Sequence, residues 1–248
     1  MTPANEPEEC RFERDGVTLR GLLASPKGIP CRGGVVVVPS VHGITDYILT
    51  VSRRLAATGF AAMTLDPYSR GDHPGDLSTP EAVRAGVAAL ADERVAADVA
   101  AAGQHLAEVI GKSSDTVGLL GFCVGGLYTF LGGCLGDFAG VVDYYGMIRY
   151  DGITEAKPRS PIEYVAQLRA PLLAHYGELD PWCPPEHVRD FADELRRQGK
   201  VHEIYHYPGA GHAFDEFDRN QVYRPAAAAD AWRRTLAFFD YHIAGELP

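Results

Sequence analysis

The chain has 248 residues, of which 46% are hydrophobic and 23% are charged, an ordinary balance for a globular protein that fits one α/β domain over residues 1–248. With 33 acidic and 23 basic residues the formal net charge is −10, which argues against nucleic acid or an anionic membrane as a partner. No stretch approaches a membrane-spanning run, and the N-terminus lacks the basic and apolar start of a signal peptide, so we expect a cytoplasmic protein. The five cysteines show no C-x-x-C or finger spacing, which indicates free thiols and no metal site.

Strand and helix signals alternate along the chain after a polar start at 1–9, which we expect to be a flexible tail. The predicted strands are Cys10–Arg14, Val17–Leu23, Val35–Val38, Phe60–Leu65, Val117–Leu120, Ala139–Tyr145 and the runs beginning at Leu172 and Glu203. The predicted helices are Tyr47–Thr58, Asp92–Ile110, a segment after Cys123, Pro161–Leu168, Pro185–Gln198 and Pro225–Ile243. The segment 77–86 has no clear pattern and is a candidate lid. The alternation predicts a mostly parallel sheet with helices on both faces.

One stretch places a cysteine in a strand-turn-helix pattern. The apolar run at 117–120 leads into Gly-Phe-Cys-Val-Gly-Gly and then an apolar helical segment, so a glycine stands two residues before and after Cys123. This is the nucleophile-elbow pattern with cysteine in place of serine, and it would lift the sulfur to a helix N-terminus at the end of the sheet. A buried structural cysteine beside a glycine-rich turn gives the same short pattern, so the elbow alone does not decide between the two.

Two later segments supply the partners that a nucleophile on this turn needs. The strand beginning at Leu172 ends in a turn with Asp180, and the next strand leads into a glycine-punctuated loop that carries His212. A nucleophile on this elbow is followed along the chain by an acid and then a histidine, and these residues come in that order. The combination favours Cys123 as nucleophile, His212 as base and Asp180 as the acid that orients it.

These segments, with two others, resemble the dienelactone hydrolases, the cysteine-nucleophile branch of the α/β-hydrolases. The matching stretches are Gly-Phe-Cys-Val-Gly-Gly at 121–126, Gly-Glu-Leu-Asp at 177–180, Gly-Ala-Gly-His-Ala-Phe at 209–214, Asp-Pro-Tyr-Ser-Arg at 66–70 and Tyr-Tyr-Gly at 144–146. The resemblance runs from about Gly33 to the C-terminal helix. It implies an α/β-hydrolase fold and the same catalytic triad of Cys123, His212 and Asp180.

The resemblance also assigns an oxyanion hole and reveals a difference beside it. The backbone N–H groups of Val41, in the loop after a buried strand, and of Val124, directly after the nucleophile, would stabilise the oxyanion. Ser40 stands where the family carries a glutamate that interacts with the resting cysteine, so the resting state of Cys123 is expected to differ. His42 fits either a second polar group at the mouth of the site or an ordinary loop histidine.

Further side chains are candidates for substrate contacts. Arg70 occupies the position of a family arginine that meets a substrate carboxylate, with a solvated loop arginine as the alternative. The second family arginine is replaced by Glu216, and this charge reversal argues against dienelactone itself as the substrate. Tyr144, Tyr145 and Trp182 each fit either a wall of the site or core packing.

These residues predict a hydrolase that cleaves an ester or lactone bond of a small molecule through an acyl-enzyme on Cys123. The mechanism needs no metal or organic cofactor. We expect a monomer or small homo-oligomer without nucleic-acid or membrane partners. Two alternatives stay open: a thiol-dependent redox or acyltransferase protein, and a binding protein that kept the elbow but lost turnover.

Overall fold

The computed structural model describes residues 5–71 and 73–245, and within these ranges eight strands form one sheet. The strands are β1 (Glu8–Arg14), β2 (Val17–Ala24), β3 (Gly33–Val38), β4 (Phe60–Leu65), β5 (Val117–Phe122), β6 (Gly140–Tyr144), β7 (Leu172–Gly177) and β8 (His202–Tyr207). The helices are α1 (Asp46–Ala57), α2 (Pro80–Ala89), α3 (Asp92–Val109), α4 (Val124–Gly133), α5 (Pro185–Arg197) and α6 (Pro225–His242), with short 3-10 helices at Ser114–Thr116 and Pro161–Gln167.

The strand order is β1-β2-β4-β3-β5-β6-β7-β8. The pairs that involve β1 and β2 are antiparallel, and all pairs from β4 to β8 are parallel. From β3 the chain passes to β4 on one side and later reaches β5 on the other, so the order reverses between β3 and β5. In open α/β sheets the crevice outside the carboxyl ends of such strands is where ligands bind.

The sheet carries helices on both faces. A Cβ added to Gly33 would lie 2.2 Å from a methyl group of Ile243 at the end of α6, whereas one added to Gly34 would lie 2.8 Å from Leu106 of α3. Because neighbouring strand residues point to opposite faces, α3 and α6 cover opposite sides of β3. This confirms the predicted α/β class with a mostly parallel central sheet.

The central strands are buried along their whole length, as the apolar runs predict. Every residue of β3, β4 and β5 is buried, which is expected of parallel strands covered on both faces. The predicted strand and helix segments are all present, with ends that differ by a few residues. No helix in the described ranges is both long and apolar enough to cross a membrane.

Helix α2 falls in the segment that the sequence left unassigned. Of its residues only Gly86 and Val87 are buried, so it lacks the apolar stripe by which the other helices were recognised. Its start does carry a local signal, because Thr79 caps the helix by accepting a hydrogen bond from the Ala82 N–H (3.1 Å) and Pro80 occupies the first turn.

The expected flexible tail at 1–9 is wrong for its second half. Residues 8 and 9 belong to β1, and the Asn5 side chain is buried and accepts a hydrogen bond from the Lys27 N–H (3.1 Å). Glu6 forms an ion pair with Arg53 of α1 at 2.9 Å. Pairing with β2 and these polar contacts hold a segment whose composition alone suggested disorder. Residues 1–4 lie outside the described residues.

Candidate active site

Cys123 lies at a sharp turn between β5 and α4. Its backbone has φ 57° and ψ −124°, a conformation that non-glycine residues rarely adopt. A Cβ on Gly121 would lie 2.1 Å from the Gly125 carbonyl oxygen, and a Cβ on Gly125 would lie 2.2 Å from the Val38 carbonyl oxygen. The two glycines are therefore required by close backbone approach, and the turn leaves the Cys123 side chain partly exposed at the first turn of α4.

Asp180 and His212 follow β7 and β8 at the same edge of the sheet and contact each other. His212 Nδ1 lies 2.8 Å from Asp180 Oδ2, and the second oxygen of this buried carboxylate accepts a hydrogen bond from the Trp182 N–H at 2.8 Å. The acid is thus fixed at both oxygens. It selects the imidazole tautomer with a proton on Nδ1 and directs Nε2 away from itself.

The other ring nitrogen of His212 is directed toward Cys123. Burial disfavours the imidazolium, but the charge of a Cys123 thiolate and the hydrogen bond to Asp180 outweigh it and raise the pKa of His212 to about 10. A hydrogen bond with the Cys123 sulfur also contributes to this rise in pKa, although the contact falls outside strict hydrogen-bond geometry, by which the buried Nε2 has no partner among the described residues. Loose contacts of this kind are common before a substrate is bound.

Two aromatic side chains lie close to the His212 ring. The ring centroid of Tyr145 lies 4.9 Å from that of His212, and the Trp182 centroid lies at 6.1 Å. The Tyr145 hydroxyl donates to Asp215, which also accepts from the Tyr47 hydroxyl. Burial raises the pKa of Asp215 to about 7, although the two hydrogen bonds act in the opposite direction.

A further carboxyl group, that of the buried Asp143 on β6, lies behind the elbow. It accepts hydrogen bonds from the Tyr176 hydroxyl at 2.9 Å and from the Gly146 N–H at 2.7 Å, and burial raises its pKa to about 7. A Cβ on Gly126 would lie 2.1 Å from its Oδ1. Neither Asp143 nor Asp215 stands out in the sequence, because Asp143 lies within an apolar strand and Asp215 lies beside Glu216 in an acidic stretch. Only the tertiary contacts make these two acids unusual.

The elbow opens into a cavity of about 300 Å³. Its lining residues are Ser40, Val41, His42, Leu77, Ser78, Thr79, Pro80, Val83, Val87, Cys123, Val124, Leu127, Tyr145, Met147, Trp182, His212, Ala213, Glu216 and Arg219. The segment before α2 and the helix itself line the cavity, so the candidate lid borders the same cavity as the cysteine. The volume suits a small molecule.

Both residues predicted for the oxyanion hole line this cavity. Val124 is the first residue of α4, where the backbone N–H has no partner inside the helix. Val41 lies in the loop after β3, and its carbonyl accepts a hydrogen bond from the buried Tyr68 hydroxyl. In the same loop the Gly43 N–H donates a hydrogen bond to the Ser40 carbonyl at 2.9 Å and so closes a turn. Tyr68 belongs to the 66–70 stretch, where no role was predicted for it.

Several polar residues of this cavity also line a second cavity of about 190 Å³. Ser40, His42, Glu216 and Arg219 line both cavities, and Thr45 and Asp218 complete the second. Arg219 Nη1 lies 2.9 Å from Glu216 Oε2. Burial lowers the pKa of His42, and Arg219 acts in the same direction while Glu216 opposes it.

Two of the expected contact residues lie elsewhere. Arg70 does not line the cavity: its Nε and Nη2 each lie 2.8 Å from a carboxylate oxygen of Asp98, which also accepts from Arg14 at 2.6 Å. The carboxylate on α3 thus binds the arginine that the resemblance assigned to a substrate. Tyr144 is buried outside the cavity, with its hydroxyl 2.9 Å from that of Thr235. Tyr145, Trp182, Ser40 and His42 do line the cavity. Among the described residues, no cluster of three or more His, Cys, Asp or Glu side chains is placed to hold a metal ion.

Comparison with known proteins gives matches over nearly the whole chain. The model of the "Dienelactone hydrolase family" matches residues 19–243. A "Probable 2-oxo-3-(5-oxofuran-2-ylidene)propanoate lactonase" of Bradyrhizobium sp. is 40% identical over 232 residues, which cover 94% of this chain and 93% of that protein. A "Putative carboxymethylenebutenolidase" of Escherichia coli K12 is 33% identical over 210 residues, covering 83% and 75%. The crystal structure of a "Putative Dienelactone Hydrolase" from Klebsiella pneumoniae superposes with a TM-score of 0.85 at 29% identity, covering 95% of this chain and 99% of that one.

Proposed function

Because this chain belongs to the dienelactone hydrolase family of ester and lactone hydrolases, we propose that it opens a small lactone through a thioester on Cys123. The observation that carries the proposal is the line of three side chains from separate strand ends. His212 Nδ1 lies 2.8 Å from Asp180 Oδ2, Cys123 raises the pKa of the same ring, and Cys123 and His212 both line the cavity.

In the first step the Cys123 thiolate attacks the lactone carbonyl carbon, and a C–S bond forms. The negative charge moves to the carbonyl oxygen, where the N–H groups of Val41 and Val124 would receive it. In acyl-transfer enzymes one such donor stabilises the transition state by about 2.7–4 kcal/mol. The His212 imidazolium, stabilised by Asp180, balances the thiolate before the attack.

In the second step the tetrahedral intermediate collapses and the ring C–O bond breaks. The leaving oxygen takes the proton of His212 and stays tethered to the acyl group, because the two belonged to one ring. Neutral His212 then removes a proton from water, whose oxygen attacks the thioester. The thiolate leaves and the ring nitrogen is protonated again, so the sum is lactone plus water giving one ring-opened carboxylic acid.

We further propose an unsaturated lactone whose ring oxygen becomes an enol on opening. The relative from Bradyrhizobium is named for such a lactone, with an ylidene group on the ring. An enol is a more acidic leaving group than an ordinary alcohol, so it departs without strong protonation. Apolar walls from Leu77, Val83, Leu127 and Met147 suit a flat unsaturated ring.

A redox role would need a second thiol that can reach Cys123. Cys183 is fully buried, and its sulfur lies 3.4 Å and 3.2 Å from the carbonyl oxygens of Tyr145 and Gly146. Burial raises the pKa of this thiol well above its usual value, which disfavours the thiolate needed for exchange. The structure therefore offers less support for the redox alternative than for acyl transfer.

The test uses a 5-ylidene furan-2-one and p-nitrophenyl acetate as substrates, with Cys123→Ala, His212→Ala and Cys31→Ala. Cys31 is an exposed cysteine outside the cavity and serves as the matched control. We expect the first two variants to lose hydrolysis and the control to retain it. Mass spectrometry after rapid acid quenching should find the acyl group on the peptide that contains Cys123. Equal rates for wild type and Cys123→Ala would refute the proposal.

A further inference from the structure

We propose that Asp215 is a positioning residue, which aligns the segments that carry the nucleophile, the oxyanion donor and His212 with one another. The inference goes beyond the proposed thioester route but rests on it, because it concerns the alignment of the same three groups. Asp215 lines neither cavity, so it acts on the reaction only through its neighbours. Its carboxyl group accepts hydrogen bonds from the hydroxyls of Tyr47 and Tyr145, which come from two other parts of the chain.

The Tyr145 side of this bridge reaches the catalytic histidine. Tyr145 follows β6 and lines the cavity, and its ring centroid lies 4.9 Å from that of His212. Its ring also packs edge-on against that of Phe214, the residue directly before Asp215, with 5.6 Å between centroids. Asp215 comes three residues after His212 in the same loop, so its hydrogen bond to Tyr145 ties that loop to the end of β6. The aromatic ring beside the imidazole is thus fixed at its hydroxyl end.

The Tyr47 side of the bridge reaches the elbow and the oxyanion loop. Tyr47 is the second residue of α1, which begins directly after the loop that contains Val41. Its buried ring packs edge-on against that of Phe122 at 5.4 Å between centroids, and Phe122 directly precedes Cys123. Through its two tyrosines Asp215 therefore contacts, at one remove, all three segments that the reaction needs.

The backbone near the histidine is strained and depends on such contacts. Ala213, directly after His212, has φ 60°, and Tyr145 has φ 46°. Non-glycine residues are uncommon in this left-handed region and persist only where the surrounding structure holds them. The Tyr145 N–H donates to the His175 carbonyl at 2.9 Å, which holds the backbone of that residue. The hydrogen bond to Asp215 holds its side chain, and the same contact fixes the loop two residues after Ala213.

The test measures kcat and KM separately with p-nitrophenyl acetate, so that it does not depend on which lactone is the substrate. Asp215→Ala removes the acceptor of both hydroxyls, Asp215→Asn keeps a polar group of the same shape, and Tyr145→Phe removes one hydroxyl and keeps the ring. A double variant that combines Asp215→Ala with Tyr145→Phe tests whether the two side chains act as one unit. Tyr150→Phe is the matched control, because its hydroxyl donates to another acid, Asp92, at 2.6 Å, but Tyr150 lines neither cavity.

We expect kcat to fall roughly 10- to 100-fold in Asp215→Ala with little change in KM, because a misplacement of about 1 Å can cost about 10²-fold in rate. Tyr145→Phe should lower kcat by a smaller factor, and its addition to Asp215→Ala should cause no further loss. Asp215→Asn should restore kcat to within about threefold of wild type, since an amide can bond both hydroxyls. Tyr150→Phe should leave both constants unchanged.

Three outcomes would overturn the inference: additive losses in the double variant, an Asp215→Asn variant as slow as Asp215→Ala, or a wild-type kcat in Tyr145→Phe. The last two variants keep the test decisive if thermal denaturation shows that Asp215→Ala does not fold. Failure of the thioester mechanism would be seen separately, as hydrolysis that survives in Cys123→Ala.

Discussion

The partly buried carboxyl group of Asp215 should make the stability of this protein depend on pH. Asp215 accepts hydrogen bonds from the hydroxyls of Tyr47 and Tyr145, and Tyr145 packs against the His212 ring. Burial raises its pKa from 3.8 to about 7. The perturbation is Asp215→Asn, which removes the titration while an amide oxygen and amide N–H remain available to the two hydroxyls.

The sign and size follow from the difference in proton affinity. Because the pKa of Asp215 is higher in the folded than in the unfolded chain, the folded state binds the proton more tightly. The stabilising contribution is complete below 3.8 and is lost as the pH rises through about 7. One pKa unit corresponds to about 1.4 kcal/mol, so the whole loss is about 4 kcal/mol, of which roughly 3 kcal/mol falls between about pH 5 and pH 8.

The assay is urea unfolding of wild type and Asp215→Asn across that pH range. The free energy of unfolding of the variant minus that of wild type should rise by roughly 3 kcal/mol from about pH 5 to pH 8. Asp143 titrates in both proteins, so its effect cancels in the difference. Asp193→Asn is the control, because this side chain is 73% exposed on α5 and pairs only with a neighbouring arginine. A difference for Asp215→Asn that stays flat with pH would refute the reasoning.

Three further outcomes are expected. Gly125→Ala should lower the free energy of unfolding by about 1–3 kcal/mol or more and abolish activity, because its Cβ would lie 2.2 Å from a backbone oxygen. The control Gly152→Ala has open space around the new methyl group, so it should have little effect in thermal denaturation. Asp180→Asn should reduce kcat by up to about 10⁴-fold with little change in the melting temperature, because the amide would no longer hold His212 in the productive tautomer. A kcat within a factor of two of that of the wild type would contradict this. Glu216→Gln should lower the KM for a carboxylate-bearing lactone and not for its amide analogue, because it removes the negative charge beside Arg219. A higher KM for the anionic lactone would contradict this prediction.

The central strands and the elbow could be predicted because their signals are local. Uninterrupted apolar runs indicated β3, β4 and β5, and two glycines around Cys123 indicated a turn that no larger residue allows. Helix α2 could not be recognised in the same way, because it covers the cavity with few buried residues and its capping signal is short. Pairing of Glu8 with Leu23 and of Glu9 with Leu22 in β2 likewise decided that residues 8 and 9 belong to a strand.

By itself, the sequence determined the order of Cys123, Asp180 and His212 along the chain, and the parallel sheet then brings those strand ends to one edge. Only the tertiary structure decided which charged side chains face the cavity. Arg70 is held by Asp98, 28 positions away, while Arg219 lines both cavities. Asp215 accepts hydrogen bonds from the hydroxyls of Tyr47 and Tyr145, which are 168 and 70 positions away in the chain. Such pairings depend on which helices and loops pack together, and no local pattern of residues encodes them.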